Sequence, residues 1–333
     1  MRISTNVTYN DFIKNLGANA SKVQKSLNQL SSLKEVSQSS DNPLLVSKIM
    51  NLNVSLSRNA TFNQEIKDTR SWVQTQDSAL SNVSDSMRRI RDLIQSTGSG
   101  TKDADAVRAN KNEIQQEIQG MVEALNTNFD GRYLFGGQKT TEPPFAVERD
   151  AKNEVVGIKY NGSDANLSRE IADKVTIDIP TNGGEMMGVE VEVEENGKTE
   201  TKTEKLSDLF GNIVKQINIY LGETDQTTTP PPPTPGDDTT LKKFTDEFMK
   251  KIDMFSDNIV NFRTKIGAVD NRLKSAEQRN ESDKINLTSA LSERQDVDIA
   301  EKYMEYQNQM LAYQTTMAMG TKIMQTSILD YVR

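Results

Sequence analysis

The sequence predicts a mainly α-helical protein: an elongated coiled-coil or helical-bundle rod formed by the N- and C-terminal halves, with a small β-rich head domain inserted between them. Three observations carry this. Apolar residues recur at alternating spacings of three and four near both ends of the 333-residue chain, the pattern of a narrow coiled-coil seam. Only 35% of residues are apolar and 6% aromatic, with a mean hydropathy of -0.65, which suits slender, solvent-washed helices better than one compact globule. From about Glu142 the helical period gives way to strand-like alternation.

The first seam is Tyr9, Ile13, Leu16, Ala20, Val23, Leu27 and Leu30. A matching one runs through Tyr303, Tyr306, Met310, Tyr313, Met317, Gly320, Met324, Ser327 and Tyr331. The simplest inference is that the two chain ends pair, small residues such as Gly320 letting another backbone come close. A two-stranded seam of such mixed size leaves apolar surface uncovered, and that surplus asks for neighbouring subunits. The plainer reading of these residues is the ordinary interior of a bundle within one molecule. The methionines read as adaptable core or interface filler.

Ser37–Pro43 reads as a linker, with Pro43 in the first turn of a new helix. Its stripe is Leu45, Ile49, Leu52, Leu56, Asn59, Asn63, Ile66, Arg70, Val73, Asp77 and Leu80, with a polar patch in the middle. Met87, Ile90 and Ile94 continue it until Thr97-Gly98-Ser99-Gly100 stops the helix. A third helix carries Val107, Ile114, Ile118, Met121, Leu125 and Phe129. Strands follow around Val155–Tyr160 and Val175–Ile179. A hairpin joins Val189–Glu194 to the segment after Lys198. A three-residue Glu195-Asn196-Gly197 loop pairs Val193 with Thr199 and Glu190 with Lys202, keeping one face apolar and matching charges. That register is preferred over the shorter Asn-Gly loop.

Ser207 is read as the cap of a helix with an apolar face of Leu209, Phe210, Ile213, Val214, Ile217 and Leu221, ended by Gly222. Thr227–Gly236 is a polyproline linker, read as a spacer in preference to a Pro-rich docking ligand. Beyond it lies the longest seam, from Ile252 through Phe255, Ile259, Phe262, Ile266, Val269, Leu273, Ala276, Asn280, Asp283 and Leu287 to Ala290, faltering at Asp296-Val297-Asp298. The layout is nested: 1–42 with 298–333 as a terminal coiled-coil assembly domain, 43–145 with 240–297 as a long-helix bundle, 146–222 as the head, and 223–239 as a Pro-rich linker.

Composition excludes several functions. There are 40 Lys and Arg against 48 Asp and Glu, a net charge of -8, the wrong sign for a nucleic-acid partner. Arg88, Arg89 and Arg91 read as a solvated helix face. Cysteine and histidine are both absent, which removes disulfides, thiolate metal sites, cysteine nucleophiles and the usual general base. Asp103 with Asp105, and Asp296 with Asp298, lack the ligand count of a calcium loop and read as helix-start caps. No catalytic, cofactor-binding or metal residues are expected, and no cofactor. The N-terminus does not resemble a secretory signal peptide. No run approaches the ~18 apolar residues of a membrane span, so no membrane insertion is expected.

Several stretches together resemble the bacterial flagellin superfamily. These are Met1-Arg2-Ile3-Ser4-Thr5-Asn6, Ser40-Asp41-Asn42-Pro43, Asn128–Gly137 with Pro144-Phe145 after it, and the ending Tyr313-Gln314-Thr315-Thr316-Met317 with Gln325–Tyr331. The resemblance covers about the first 145 and the last 90 residues. Its most specific part is Gly131, Arg132, Tyr133, Leu134, Phe135, Gly136 and Gly137 with Phe145, which is similar to the hook-associated protein 3 family of hook–filament junction subunits. The chain departs from the family pattern at Leu33, where Gly is usual, and at Asn42, where Asp is usual.

The resemblance implies a structural subunit that leaves the cell unfolded through the flagellar type III export channel, without a cleaved signal peptide. It implies an extracellular place on the flagellum and a ring of identical subunits. A neighbouring hook-associated protein is implied on the hook side, flagellin on the filament side, and a cytoplasmic export chaperone at the C-terminal helix, roughly 303–333. Under it, Tyr9, Ile13, Leu16, Val23, Leu27, Leu30, Tyr303, Met310, Met317, Met324 and Tyr331 form the assembly interface. A filament-forming flagellin is the nearest alternative. An adhesin-type head on a helical stalk and a carboxylate-based hydrolase in the head are more distant.

Overall fold

A computed structural model of the chain describes residues 2–36, 38–98, 104–151, 153–195, 198–222 and 238–329, with side chains described for 7–36, 38–98, 104–151, 153–188, 205–222 and 245–322. The helices are α1 (Arg2–Ser32), α2 (Pro43–Thr97), α3 (Ala104–Leu125), the single-turn α4 (Gly184–Met187), α5 (Leu206–Leu221), α6 (Asp238–Gln295) and α7 (Ile299–Leu329). The strands pair as four antiparallel two-stranded sheets. These are β1 (Asn128–Phe129) with β2 (Arg132–Tyr133), β3 (Phe145–Arg149) with β4 (Val155–Tyr160), β5 (Leu167–Ala172) with β6 (Val175–Ile179), and β7 (Gly188–Glu195) with β8 (Lys198–Lys205). The chain divides into a terminal unit, Met1–Thr61 with Asn280–Arg333, and a central unit, Phe62–Arg279.

In the terminal unit α1 and α7 lie antiparallel. Asn42 caps α2, its Oδ1 accepting from the Leu45 amide (3.1 Å), so Pro43 takes the first helical position, where a missing N–H costs nothing. Asp298 caps α7 by accepting from the amides of Ala300 (2.9 Å) and Glu301 (3.2 Å). The α1–α2 connection is tied to the break between α6 and α7. The Glu35 amide donates to the Gln295 carbonyl (2.8 Å), and the Val297 amide to the Leu33 carbonyl (3.2 Å). Leu33 is left-handed at φ 57, so the conformation that glycine would ease is kept by a leucine.

In the central unit the three-four stripe of α2 meets that of α6. Ile66, Val73, Leu80 and Met87 are buried, as are Ile252, Ile259, Ile266 and Leu273. Ion pairs flank this seam: Arg70 with Asp270 (3.2 Å) and Glu277 (3.0 Å), and Arg263 with Asp77 (2.9 Å). Helix α3 adds Val107, Ile114, Ile118, Met121 and Leu125 to the same core, and α5 adds Leu209, Phe210 and Ile213. Lys111 of α3, almost fully buried, donates to Glu154 Oε1 and to Asn218 Oδ1 of α5 (both 3.0 Å). A buried ammonium is tolerable only with such partners.

Three local expectations are corrected. The β7–β8 register pairs Glu195 with Lys198, Val193 with Glu200 and Val191 with Lys202. Two residues, Asn196 and Gly197, therefore separate the strands. The twist of a two-residue Asn-Gly turn matches that of the strands, and this outweighs the charge matching that favoured the longer loop. Ser207 does not cap α5: the cap position is Lys205, with no side-chain hydrogen bond, because β8 runs straight into the helix. Gly222 does end α5, left-handed at φ 69. Phe129 is not on α3, which ends at Leu125. It lies in β1 and packs edge-on against Trp72, with ring centroids 6.1 Å apart. The Pro-rich segment lies outside the described residues.

Candidate assembly interface

The α1–α7 pair joins through a seam of mixed apolar and polar residues. Phe12, Leu16, Asn19, Val23, Ser26 and Leu30 of α1 turn toward Lys302, Tyr306, Gln309, Tyr313, Thr316 and Gly320 of α7, all at least partly buried. The Asn19 amide donates to Thr316 Oγ1 (3.0 Å) and the Ser26 hydroxyl to Gln309 Oε1 (2.7 Å). A Cβ on Gly320 would stand 2.2 Å from the Phe12 ring, so the small residue admits an aromatic side chain rather than a backbone. Lys302 pairs with Glu35 (3.2 Å) and Glu305 (3.0 Å). Burial works against its charge, but the two carboxylates prevail and hold the ammonium above its ordinary pKa.

The expected interface residues therefore fall into two sets. Leu16, Val23, Leu30 and Met310 are half-buried within the pair. Tyr9, Ile13, Leu27, Tyr303 and Met317 are exposed, at 43 to 55%. The side chains of Met324 and Tyr331 lie outside the described residues.

At 3.6 residues per turn, Tyr9, Ile13, Ala20 and Leu27 sit roughly a fifth of a turn from the α1 seam, and Tyr303, Met310 and Met317 are displaced in the same sense on α7. In an antiparallel pair, equal displacement puts both stripes on one side. They form one apolar groove, with Leu27 nearest the level of Met310 and Ala20 nearest that of Met317.

Apolar exposure is concentrated in this unit. Of eighteen large apolar side chains exposed among the described residues, fifteen belong to the terminal unit. Of the buried apolar residues among those described, only Ile49 does, at 9% exposure. The terminal unit thus holds most of the uncovered apolar surface and almost none of the core, the reverse of a self-sufficient domain.

The second set of expected residues is structural. Asp130 (φ 52) and Gly131 (φ 73) make the turn between Phe129 and Arg132, the two-residue geometry that needs positive φ twice. Arg132 is exposed and Tyr133 half-buried, its amide donating to the Thr140 carbonyl (2.8 Å). Leu134 and Phe135 are fully buried. Gln76, buried on α2, donates to the carbonyls of Leu134 and Pro180 (both 3.0 Å). The Gly137 amide donates to the Thr181 carbonyl (2.9 Å), and a Cβ there would lie 2.1 Å from the Ser163 carbonyl oxygen. Asn126 brackets Phe145, donating to its carbonyl (2.8 Å) and accepting from its amide (3.0 Å). Phe145 in turn packs on Tyr160, with centroids 5.2 Å apart. The stretch is a clasp joining α2, α3 and the strands around one core. Its hydrogen bonds run mostly through backbone, a signal that side-chain patterns do not carry.

The remaining candidates resolve simply. Arg88 pairs with Asp85, Arg89 with Glu113 and Arg91 with Asp253. Among the described residues no three acidic side chains gather to hold a metal ion, and no helix is long and apolar enough to cross a membrane.

Models of the bacterial flagellin N-terminal and C-terminal helical regions match residues 3–140 and 249–332, together two thirds of the chain. The chain is 25% identical over 329 residues to flagellin of Bacillus subtilis, covering 96% of this chain and 95% of that one. It is 24% identical over 191 residues to flagellar hook-associated protein 3 of Salmonella typhimurium, spanning 56% of each. Among solved structures, hook-associated protein 3 of Legionella pneumophila superposes with a TM-score of 0.59 at 12% identity, over 74% of this chain and 98% of that one. FlgL of Xanthomonas campestris does so with a TM-score of 0.53 at 16% identity, over 72% and 98%. The matched regions coincide with the paired terminal helices and the long-helix core, and the chain belongs to the bacterial flagellin family, with the fold of its hook-associated protein 3 members.

Proposed function

We propose that this chain is the structural subunit that joins hook to filament in the bacterial flagellum, working by helix packing against neighbouring subunits and not by catalysis. The observation that carries the reading is the apolar surface of the terminal unit, fifteen of the eighteen exposed large apolar side chains, on helices that the family places at its ends. Burial is worth about 25 cal/mol per Å2. A few hundred Å2 per neighbour then contributes roughly several kcal/mol, and repetition around a ring holds it without covalent bonds.

The subunits form a ring with copies of themselves, flanked by another hook-associated protein and by flagellin. Tyr9, Ile13, Leu27, Tyr303 and Met317 meet neighbours, while Leu16, Val23, Leu30 and Met310 hold the pair; Met324 and Tyr331 belong to the same proposed interface. The chain reaches this place by type III export, and an export chaperone takes the amphipathic C-terminal helix in a groove. The absence of cysteine suits threading, since no crosslink forms beforehand.

Gold-labelled antibody on intact flagella tests the reading. A single narrow band between hook and filament is expected. Label along the whole filament would make the chain a flagellin, a second reading favoured by the near-full-length similarity to the Bacillus subtilis protein.

A further inference from the structure

The groove is one of two apolar surfaces on the α1–α7 pair. On the side of α7 turned away from α1, Ala300, Met304, Leu311 and Ala318 form a stripe, all exposed, Met304 at 61% and Leu311 at 60%. Leu311 lies about half a turn from the seam residues Tyr306 and Tyr313. From Ala300 to Ala318 the rest of this face is Gln307 and Thr315, so it carries no charge. Neither the pair nor the seam accounts for two exposed large apolar residues there.

The spacings of stripe and groove match. Met304, Leu311 and Ala318 repeat at seven. So do Ile13, Ala20 and Leu27 on one wall of the groove, and Tyr303, Met310 and Met317 on the other. Equal repeats let knobs of one helix enter holes between two others in successive registers. We propose that the α7 stripe of one copy seats in the α1–α7 groove of the next copy. This rests on the reading of the chain as a self-assembling flagellar subunit and names which surface meets which.

The contact is heterologous: stripe and groove are different surfaces on different sides of one helix pair. Two copies joined by it still present one free stripe and one free groove. Such a contact propagates until it closes into a ring or winds into a helix. A self-complementary apolar face would stop at a dimer, which cannot build a tube.

The test uses the absence of cysteine from the chain. In cells whose only copy carries Leu311→Cys with Ile13→Cys, Ala20→Cys or Leu27→Cys, isolated flagella are oxidised and run without reductant. Because the groove repeats at seven, at least one of the three pairs is expected to give a ladder at multiples of 37.2 kDa, while each single variant gives none. Leu311→Asp is expected to lose incorporation at least tenfold, and Met319→Asp, exposed on another side of α7, to keep it. If all three pairs stay monomeric in flagella that contain the chain, or Leu311→Asp incorporates normally, the stripe-in-groove contact is overturned and the junction reading stands. If the unsubstituted chain is absent from flagella, both fall.

Discussion

Asn59 and Asn280 each donate a side-chain amide to the other's backbone carbonyl, at 3.0 and 3.2 Å, and both are buried. This reciprocal pair sits in the polar patch of the α2 and α6 seams, inside the terminal unit. A buried amide in a coiled-coil seam fixes register at some cost in stability. Sliding the helices past each other would strand two amides, each at about 1–3 kcal/mol. Asn59→Leu alone should therefore destabilise the terminal unit by about 1–3 kcal/mol. Replacing both residues with Leu should recover most of that while broadening the unfolding transition, as alternative registers become populated. Urea unfolding of the two variants checks this. Equal losses in both would mean that the pair does not act reciprocally.

Leu33 holds φ 57 where the family pattern has glycine. A non-glycine residue in this region costs about 1–2 kcal/mol, partly offset because glycine gives the unfolded chain more freedom. Leu33→Gly should raise the stability of the terminal unit by about 0.5–1 kcal/mol, and Leu33→Val should lower it. Exchange of the Glu35 and Val297 amides, both hydrogen-bonded across this turn, reports the change directly. Faster exchange in Leu33→Gly would show that the strain is not there.

Much of the fold can be read from the chain. The α2 and α6 seams were plain, because Ile66, Val73, Leu80, Ile259, Ile266 and Leu273 face one another inside one molecule. On α1 and α7 the same period was visible, but hydrophobicity pointed partly to the wrong side. The pair closes over Asn19, Ser26, Gln29, Gln309 and Thr316, while Tyr9, Ile13, Leu27, Tyr303 and Met317 face out. A sequence selected for contacts with other copies does not say which apolar residue meets its own chain. The β7–β8 register differs for another reason: the backbone twist of a two-residue connection prevails over cross-strand charge pairing.

The clasp makes a graded prediction for its glycines. Gly131 needs positive φ but has open space where a Cβ would go, so Gly131→Ala should cost about 1 kcal/mol. Gly137 needs the same conformation and also lies against the Ser163 and Ala165 carbonyl oxygens. Gly137→Ala should cost about 3 kcal/mol or more, since the backbone must shift. Thermal unfolding of the central unit, followed by the single tryptophan, Trp72, distinguishes the two. Similar costs would mean that the clasp yields easily around Gly137.

The Lys302 cluster gives the terminal unit a pH dependence at the alkaline end. Its pKa is raised above the ordinary 10.5, so the folded state binds the proton more tightly than the unfolded one. The stabilisation is fully present below that ordinary value and is lost as pH rises through the higher folded value. The unit should weaken above about pH 10.5, and Lys302→Gln should flatten that part of the profile. An unchanged slope in the variant would remove Lys302 as the cause.

The mixed seam of α1 and α7 also sets how the subunit behaves before it assembles. A helix pair whose apolar seam residues stay only half-buried, and whose most buried side chains are Ser26 and Gln29, gains little from the hydrophobic effect, and each hydrogen bond nets only about 0.5–1.5 kcal/mol. The groove and stripe stay in water until neighbours cover them. In the dilute monomer the amides of Leu16 to Leu27 should therefore exchange orders of magnitude faster than those of Ile66 to Leu80, whose side chains lie in the central core. Assembly into flagella should slow the first set and leave the second nearly unchanged. Met317→Asp places a charge in the groove without touching the seam; it should lower incorporation at least tenfold and leave the helical signal of the monomer intact. Strong protection at Leu16 to Leu27 in the monomer would mean the pair is stable alone. The exposed apolar residues would then lose their role as the force that completes the unit, and Met317→Asp subunits would be expected to assemble normally.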